Sequence, residues 1–228
     1  ARPERFWDDV RALYPLRDDP VYLNTGGLGP APQLVLDKVT EVAARLQQHA
    51  ETGHDLLAPA RETLAAFLGA RPDEVCFTRN TTEGNSIIAA GLALAPGDEV
   101  IFESHAHPGG SFPWLNQAQR RGVTVKVFEP DHASAEGNLA RIRELITPRT
   151  KVIQVSHVTC TDGLVFPVTA IAALARSRGI WFHIDGAQSA GMIPVDLTAI
   201  GCDSYAFSGH KWLGGPHETG GLYIRRDR

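Results

Sequence analysis

After Gly69 the chain alternates short apolar runs with stretches of helical period, and this alternation restricts the fold more than any other feature. The runs cover 75–77, 99–102, 123–128, 152–155, 180–184, 204–207 and 221–224, and are rich in β-branched and aromatic residues. Candidate helices over 82–94, 108–121, 138–146 and 167–178 separate them. Parallel strands need a crossover between each pair, so strand and helix in turn predict an α/β fold, a three-layer sandwich with a mostly parallel sheet. Ligands of such sheets bind at the carboxyl ends of the strands. Upstream, Leu34, Leu36, Val39, Val42 and Leu46, then Leu56, Leu57, Leu64, Phe67 and Leu68, recur at spacings of three and four. They predict helix over 33–69, divided at Gly53 and Pro59.

Composition excludes several classes of partner. With 228 residues, 43% of them hydrophobic, the chain has apolar material for one substantial core. A formal charge of -4 and the lack of any Lys/Arg block argue against nucleic acid. The longest apolar stretch, 86–95, falls well short of the roughly 20 residues that span a bilayer, so no membrane partner is expected. The start, Ala1 to Trp7, has neither a secretory apolar core nor a methionine and reads as the trimmed start of a cytoplasmic protein. Cys76, Cys160 and Cys202 are odd in number and widely spaced, which fits neither a disulfide framework nor a zinc site. Cys76 and Cys202 are expected to be buried thiols.

Four strand ends carry polar residues that a purely structural loop does not need. In Phe77-Thr-Arg-Asn-Thr81-Thr82-Glu-Gly84 a strand runs into a helix with two hydroxyls at its start. Free N–H groups there could hold a phosphate, or Thr81 or Thr82 could simply cap the helix. In Trp181-Phe-His183-Ile-Asp185-Gly-Ala-Gln188 a strand delivers a carboxylate to the sheet edge. Asp185 could pair with a protonated ring nitrogen, cap the next helix, or bind a metal with His183 on the same strand face. In Ser208-Gly-His210-Lys211-Trp-Leu-Gly-Gly215 a lysine follows an apolar strand. It is either a Schiff-base nucleophile or a surface lysine in a turn. Finally, Glu103-Ser-His105-Ala-His107-Pro108 places two imidazoles after a strand, and one of them could stack on a flat cofactor.

In sequence order these elements resemble the class V aminotransferase family of fold-type I enzymes that depend on pyridoxal 5'-phosphate (PLP). That family includes cysteine desulfurases, cyst(e)ine C-S lyases, kynureninases and isopenicillin N epimerase-like proteins. The resemblance begins at Tyr22-Leu-Asn24-Thr-Gly26-Gly-Leu-Gly29 and is most specific in Asp185-Gly-Ala-Gln188 and Ser208-Gly-His-Lys211. It implies that Lys211 binds PLP covalently and moves the substrate Cα proton, and that Asp185 keeps the pyridine nitrogen protonated. It further implies that Gln188 bonds the 3'-oxygen, that His107 rather than His105 stacks on the ring, and that Thr81, Thr82, Ser208 and His210 hold the phosphate. Thr219 would reach a neighbouring subunit's phosphate in a homodimer, and Asn24 and Gly26 would line the substrate side.

Two departures bear on the reaction. Desulfurases typically have Asn where Cys160 stands, so Cys160 is expected beside the cofactor without being the sulfur-accepting nucleophile. The Asn24 to Gly29 segment and His107-Pro-Gly look closer to the C-S lyase and epimerase-like branches. The expected activity is therefore a desulfurase-like or C-S lyase reaction on a sulfur amino acid. Epimerisation, transamination and a non-catalytic PLP-binding homologue are the alternatives. A nicotinamide enzyme is disfavoured, because no Gly-x-Gly-x-x-Gly turn follows a strand. Residues 1–30 are expected to form a segment contributing to the active site and 31–228 the PLP-binding large domain. A C-terminal domain of about 100–200 residues is expected beyond Arg228.

Overall fold

The structure is a computed structural model that describes residues 5–19 and 21–228; residues 1–4 and 20 of the expected N-terminal segment lie outside the described residues. Helix α1 (Phe6–Ala12) precedes the segment 21–32, which runs without regular structure into α2 (Gln33–His49). Helix α2 stops where Ala50 turns left-handed, at φ 52°. A short 3-10 turn follows Gly53, whose φ is 70°, and leads to α3 (Leu57–Phe67). Gly53 thus divides the helical region as expected. Pro59 does not, because it sits in the first turn of α3, where a missing N–H costs nothing.

All seven expected strands form: β1 (Val75–Thr78), β2 (Glu99–Glu103), β3 (Thr124–Phe128), β4 (Thr150–Ser156), β5 (Trp181–Asp185), β6 (Ser204–Ser208) and β7 (Gly220–Ile224). Between them lie α4 (Thr81–Gly91), α5 (Pro108–Arg121), α6 (Ala135–Leu145) and α7 (Val168–Ser177), with the single-turn α8 (Leu197–Ile200) ahead of β6. The sheet order is β1-β7-β6-β5-β4-β2-β3. Only β7 runs antiparallel to its neighbours, so the sheet is mostly parallel.

Two apolar clusters make the three layers. Ile101, Ile153, Val155, Phe182, Ile184 and Tyr205 pack with residues of α3, α6 and α7. Val100, Phe102, Val152 and Ala206 pack with Ile88 and Ala89 of α4 and with Trp114 of α5. Adjacent strand residues therefore serve opposite layers, as the pleat requires. Cys202 is fully buried, and burial pushes its thiol up to about 12. Cys76 corrects the expectation: it is exposed, on β1 at the edge of the sheet, where β7 is the sole strand among the described residues that pairs with it. No helix among the described residues is long and apolar enough to cross a membrane.

Candidate active site

A cavity of about 880 Å³ opens at the carboxyl ends of the parallel strands, where the fold class places ligands. Asp185, at the last position of β5, faces it through a chain of hydrogen bonds that begins inside the sheet. Trp181 Nε1 donates to Ser204 Oγ at 2.8 Å, and Ser204 Oγ lies 2.8 Å from His183 Nδ1. His183 Nε2 lies 2.8 Å from Asn85 Oδ1, and Asn85 Nδ2 donates to Asp185 Oδ2 at 2.8 Å and to the Gly109 carbonyl at 3.1 Å.

These directions fix the tautomer. An amide whose nitrogen serves two acceptors presents its oxygen to His183, so His183 carries its proton on Nε2 and accepts from the Ser204 hydroxyl at Nδ1. Full burial agrees, since it pushes the imidazole down to about 3 and keeps it neutral. Both nitrogens being engaged, His183 has none left for a metal shared with Asp185. The carboxylate also accepts from the Ala187 amide at 3.1 Å, so part of the capping role is real. A Cβ at Gly110 would come within 3.0 Å of Asp185 Oδ2, so glycine there preserves the space beside the carboxylate.

Lys211 lines the same cavity from the turn after β6. Burial holds its ammonium below the usual lysine range, against the opposing attraction of Asp185. The turn is clamped from both sides. Gly209 N donates to the Thr219 carbonyl at 2.6 Å, and Gly29 N donates to the His210 carbonyl at 2.8 Å. A Cβ at Gly29 would stand 1.7 Å from the Lys211 carbonyl oxygen, so only glycine allows this approach of the N-terminal segment. From that segment Asn24 and Gly26 reach the cavity wall. Gln188 joins the two parts, donating through Nε2 to the Gly26 carbonyl at 3.0 Å and accepting from Trp212 Nε1 at 2.8 Å.

Thr81, Thr82, Ser208 and His210 all line the cavity. Neither threonine caps α4; Asn80 does, accepting from the Glu83 amide at 2.9 Å. That leaves the threonines on the first turn, where free N–H groups concentrate. Ser208 Oγ lies 2.8 Å from Thr81 Oγ1 and accepts from its amide at 3.1 Å. His210 donates from Nδ1 to the Thr219 carbonyl at 3.0 Å, and burial lowers its basicity. Thr219 itself does not line this cavity; its hydroxyl donates to the Pro216 carbonyl at 2.7 Å. His107 caps α5 by accepting from the Gly109 amide at 3.0 Å and lines the cavity, whereas His105 does not. Cys160 also lines the cavity, its thiol pushed up by partial burial, with Asp185 adding to the shift and Lys211 opposing it.

Sequence reasoning missed Asn85 and Glu103. Asn85 lies one helical turn after Thr81, a spacing that puts both on the same face and was the available signal. Glu103 ends β2 fully buried, accepting from the Ser156 amide at 2.9 Å, while its Oε2 has no partner among the described residues. Burial raises its carboxyl to about 7, and nearby Asp185 adds to the rise.

The donor set fits a flat, phosphorylated, cationic-ring cofactor: an anion-binding helix start, an imidazole at the cavity wall, and a carboxylate and a lysine facing the same space. A sequence profile for the family described as Aminotransferase class-V matches residues 21–228. A probable cysteine desulfurase of Methanothermobacter thermautotrophicus is 36% identical over 96% of this chain and 56% of its own length. An isopenicillin N epimerase of Amycolatopsis lactamdurans is 34% identical over 97% of this chain and 58% of its own. Among solved structures, a cystine C-S lyase in complex with its reaction product cysteine persulfide superposes with a TM-score of 0.84 at 33% identity, over 90% of this chain and 57% of that one. An Escherichia coli cysteine desulfurase gives 0.85 at 30% identity, over 96% and 58%. The chain thus spans less than two thirds of the length of these relatives.

Proposed function

The chain belongs to the class-V aminotransferase family, and on that premise we propose that it binds pyridoxal 5'-phosphate in this cavity and acts at Cα and Cβ of a sulfur amino acid, by a desulfurase-like or C-S lyase reaction. The observation that carries the reading is that Asp185, at the end of β5, and Lys211, in the turn after the neighbouring β6, face one cavity whose wall includes the start of α4. When bound, the cofactor supplies a conjugated ring that withdraws electrons from the substrate Cα.

The remaining steps fall to this chain's own groups. Lys211 Nζ, its basicity lowered by burial, would hold the cofactor and would serve as the base for the substrate Cα proton. Asp185 holds a proton on the ring nitrogen, and the Asn85 amide keeps that carboxylate turned towards the cavity. Thr81, Thr82, Ser208 and His210 hold the phosphate through charge-assisted bonds at the positive end of α4. Gln188 would serve the cofactor's 3'-oxygen, His107 would stack on its ring, and Asn24 and Gly26 would border the substrate. Thr219 serves a partner's phosphate. Cys160 lines the cavity without accepting sulfur.

Epimerisation is the second reading, favoured by the likeness to isopenicillin N epimerases over nearly the whole chain. A homodimer is supported by α2, which has no buried residue and leaves Leu34 and Val39 exposed. A cytoplasmic setting is supported by three unpaired cysteines. The test is a visible absorption band with PLP that borohydride abolishes, followed by a screen of cysteine, cystine and cysteine S-conjugates for sulfide, pyruvate and alanine. Release of none of these, with inversion of an amino acid at Cα, would replace lyase chemistry by epimerisation. Lack of the band would overturn the cofactor assignment.

A further inference from the structure

A second set of side chains converges beside the cleft, on the loops after three neighbouring strands. His105 follows β2, Glu129 and His132 follow β3, and Asp162 lies in the loop after β4. One ligand atom from each of His105, Glu129 and His132 lies within 4.8 Å of the other two. His105 Nε2 is 3.3 Å from Glu129 Oε1. Behind the rings, Asp162 Oδ2 is 3.2 Å from His105 Nδ1 and 3.4 Å from His132 Nδ1.

We propose that His105, His132 and Glu129 form a binding site for a first-row divalent transition metal, best matched by Zn²⁺, with Asp162 orienting both imidazoles from behind. Two imidazoles and one carboxylate are a zinc-type donor set, whereas Ca²⁺ and Mg²⁺ take oxygen ligands. Spacing agrees with this. Ligands at about 2.0–2.1 Å from a tetrahedral ion stand about 3.3 Å from one another, which matches the His105 to Glu129 distance.

Orientation agrees as well. Asp162 Oδ2 stands beside Nδ1 of each ring, so a proton carried there would leave the Nε2 lone pair for the ion, the arrangement that carboxylates impose on zinc-bound histidines. Thr161 Oγ1 also lies 3.0 Å from His105 Nδ1. Three protein ligands leave a fourth position for water, and Glu129 and His132 are exposed enough for the ion to enter from solvent. The competing account is a protonated His105 held between two carboxylates, which takes up no metal.

Occupancy would tie together the loops after β2, β3 and β4. Asp162 and Thr161 line the cleft beside Cys160, so the ion would brace the wall that carries this thiol. The site does not depend on the cofactor assignment.

Isothermal titration of chelator-stripped protein, loaded with its cofactor, with ZnCl₂ tests the proposal. One Zn²⁺ per chain is expected, with micromolar or tighter affinity. The His105→Ala/His132→Ala variant should lose at least about 100-fold in affinity, and Asp162→Asn about 10-fold, the range for the loss of such an outer partner. Glu129→Gln, a change at an exposed position, keeps the test open if the double variant folds poorly, and it too should weaken binding. Cys160→Ser should bind as the parent does. No uptake by the parent, or uptake unchanged in the histidine and Glu129 variants, would overturn the proposal. The borohydride-sensitive band is read separately, so failure of the metal site and failure of the cofactor reading are distinguishable.

Discussion

Asn85 Nδ2 donates to Asp185 Oδ2 at 2.8 Å, joining α4 to the end of β5 across 100 residues of chain. The same amide accepts from His183, so one buried side chain couples the carboxylate to the interior of the sheet. Its removal has two consequences. A fully buried His183 N–H loses its acceptor, which costs about 1–3 kcal/mol, and Asp185 loses the group that fixes its direction. Asn85→Ala is therefore expected to lower the urea unfolding free energy by about 2 kcal/mol and to reduce turnover about 10-fold or more, on the proposed reading. Asp185→Ala should still bind PLP but lose most turnover. Turnover near that of the parent in both variants would make this pair purely structural.

Lys211→Ala is expected to abolish the borohydride-reducible visible band while leaving measurable PLP affinity. Phosphate contacts at Thr81, Thr82, Ser208 and His210 do not depend on the covalent bond. Absorbance before and after reduction, together with equilibrium dialysis of PLP, separates the two. An unchanged spectrum would remove Lys211 from the assignment.

Glu103 should give the fold a pH dependence of its own. Its carboxyl is raised to about 7 by burial, above the ordinary 4.5 that it regains on unfolding. Between these values the folded state holds a proton that the unfolded state releases. Stability fully present below about 4.5 is therefore lost as the pH rises towards about 7, by on the order of 3 kcal/mol. Glu103→Gln keeps an oxygen for the Ser156 amide and cannot ionise. Urea midpoints measured from pH 5 to pH 8 should fall for the parent and stay flatter for the variant; equal slopes would contradict the buried-carboxyl account.

Cys160→Ser is expected to lower activity only a few-fold and to leave the identity of the products unchanged. The thiol lines the cavity, but its basicity is raised rather than lowered, so little of it is the reactive thiolate at neutral pH. Alkylation and mass spectrometry after turnover would detect a persulfide on Cys160, and its presence would restore a sulfur-accepting role.

Local pattern determined the elements of this protein. Short apolar runs rich in β-branched and aromatic residues, and apolar spacings of three and four, were enough to place seven strands and most helices, because each is a property of one segment alone. Residues such as Asp185 and Lys211 were legible for a related reason: a polar side chain at the end of an apolar strand stands at the edge where parallel sheets meet their ligands. Tertiary structure decided the rest through strand order and long-range approach. Cys76 lies in an apolar run yet is exposed, because position at the sheet edge depends on which strand pairs last and not on its own sequence. Gly29 in isolation is one glycine among 22, and only the docking of its segment onto the Lys211 turn makes a side chain there impossible. Asn85 and Glu103 are ordinary polar residues until the fold buries them. Burial in a low-dielectric interior, not residue type, turns an amide into the support of Asp185 and raises the carboxyl of Glu103.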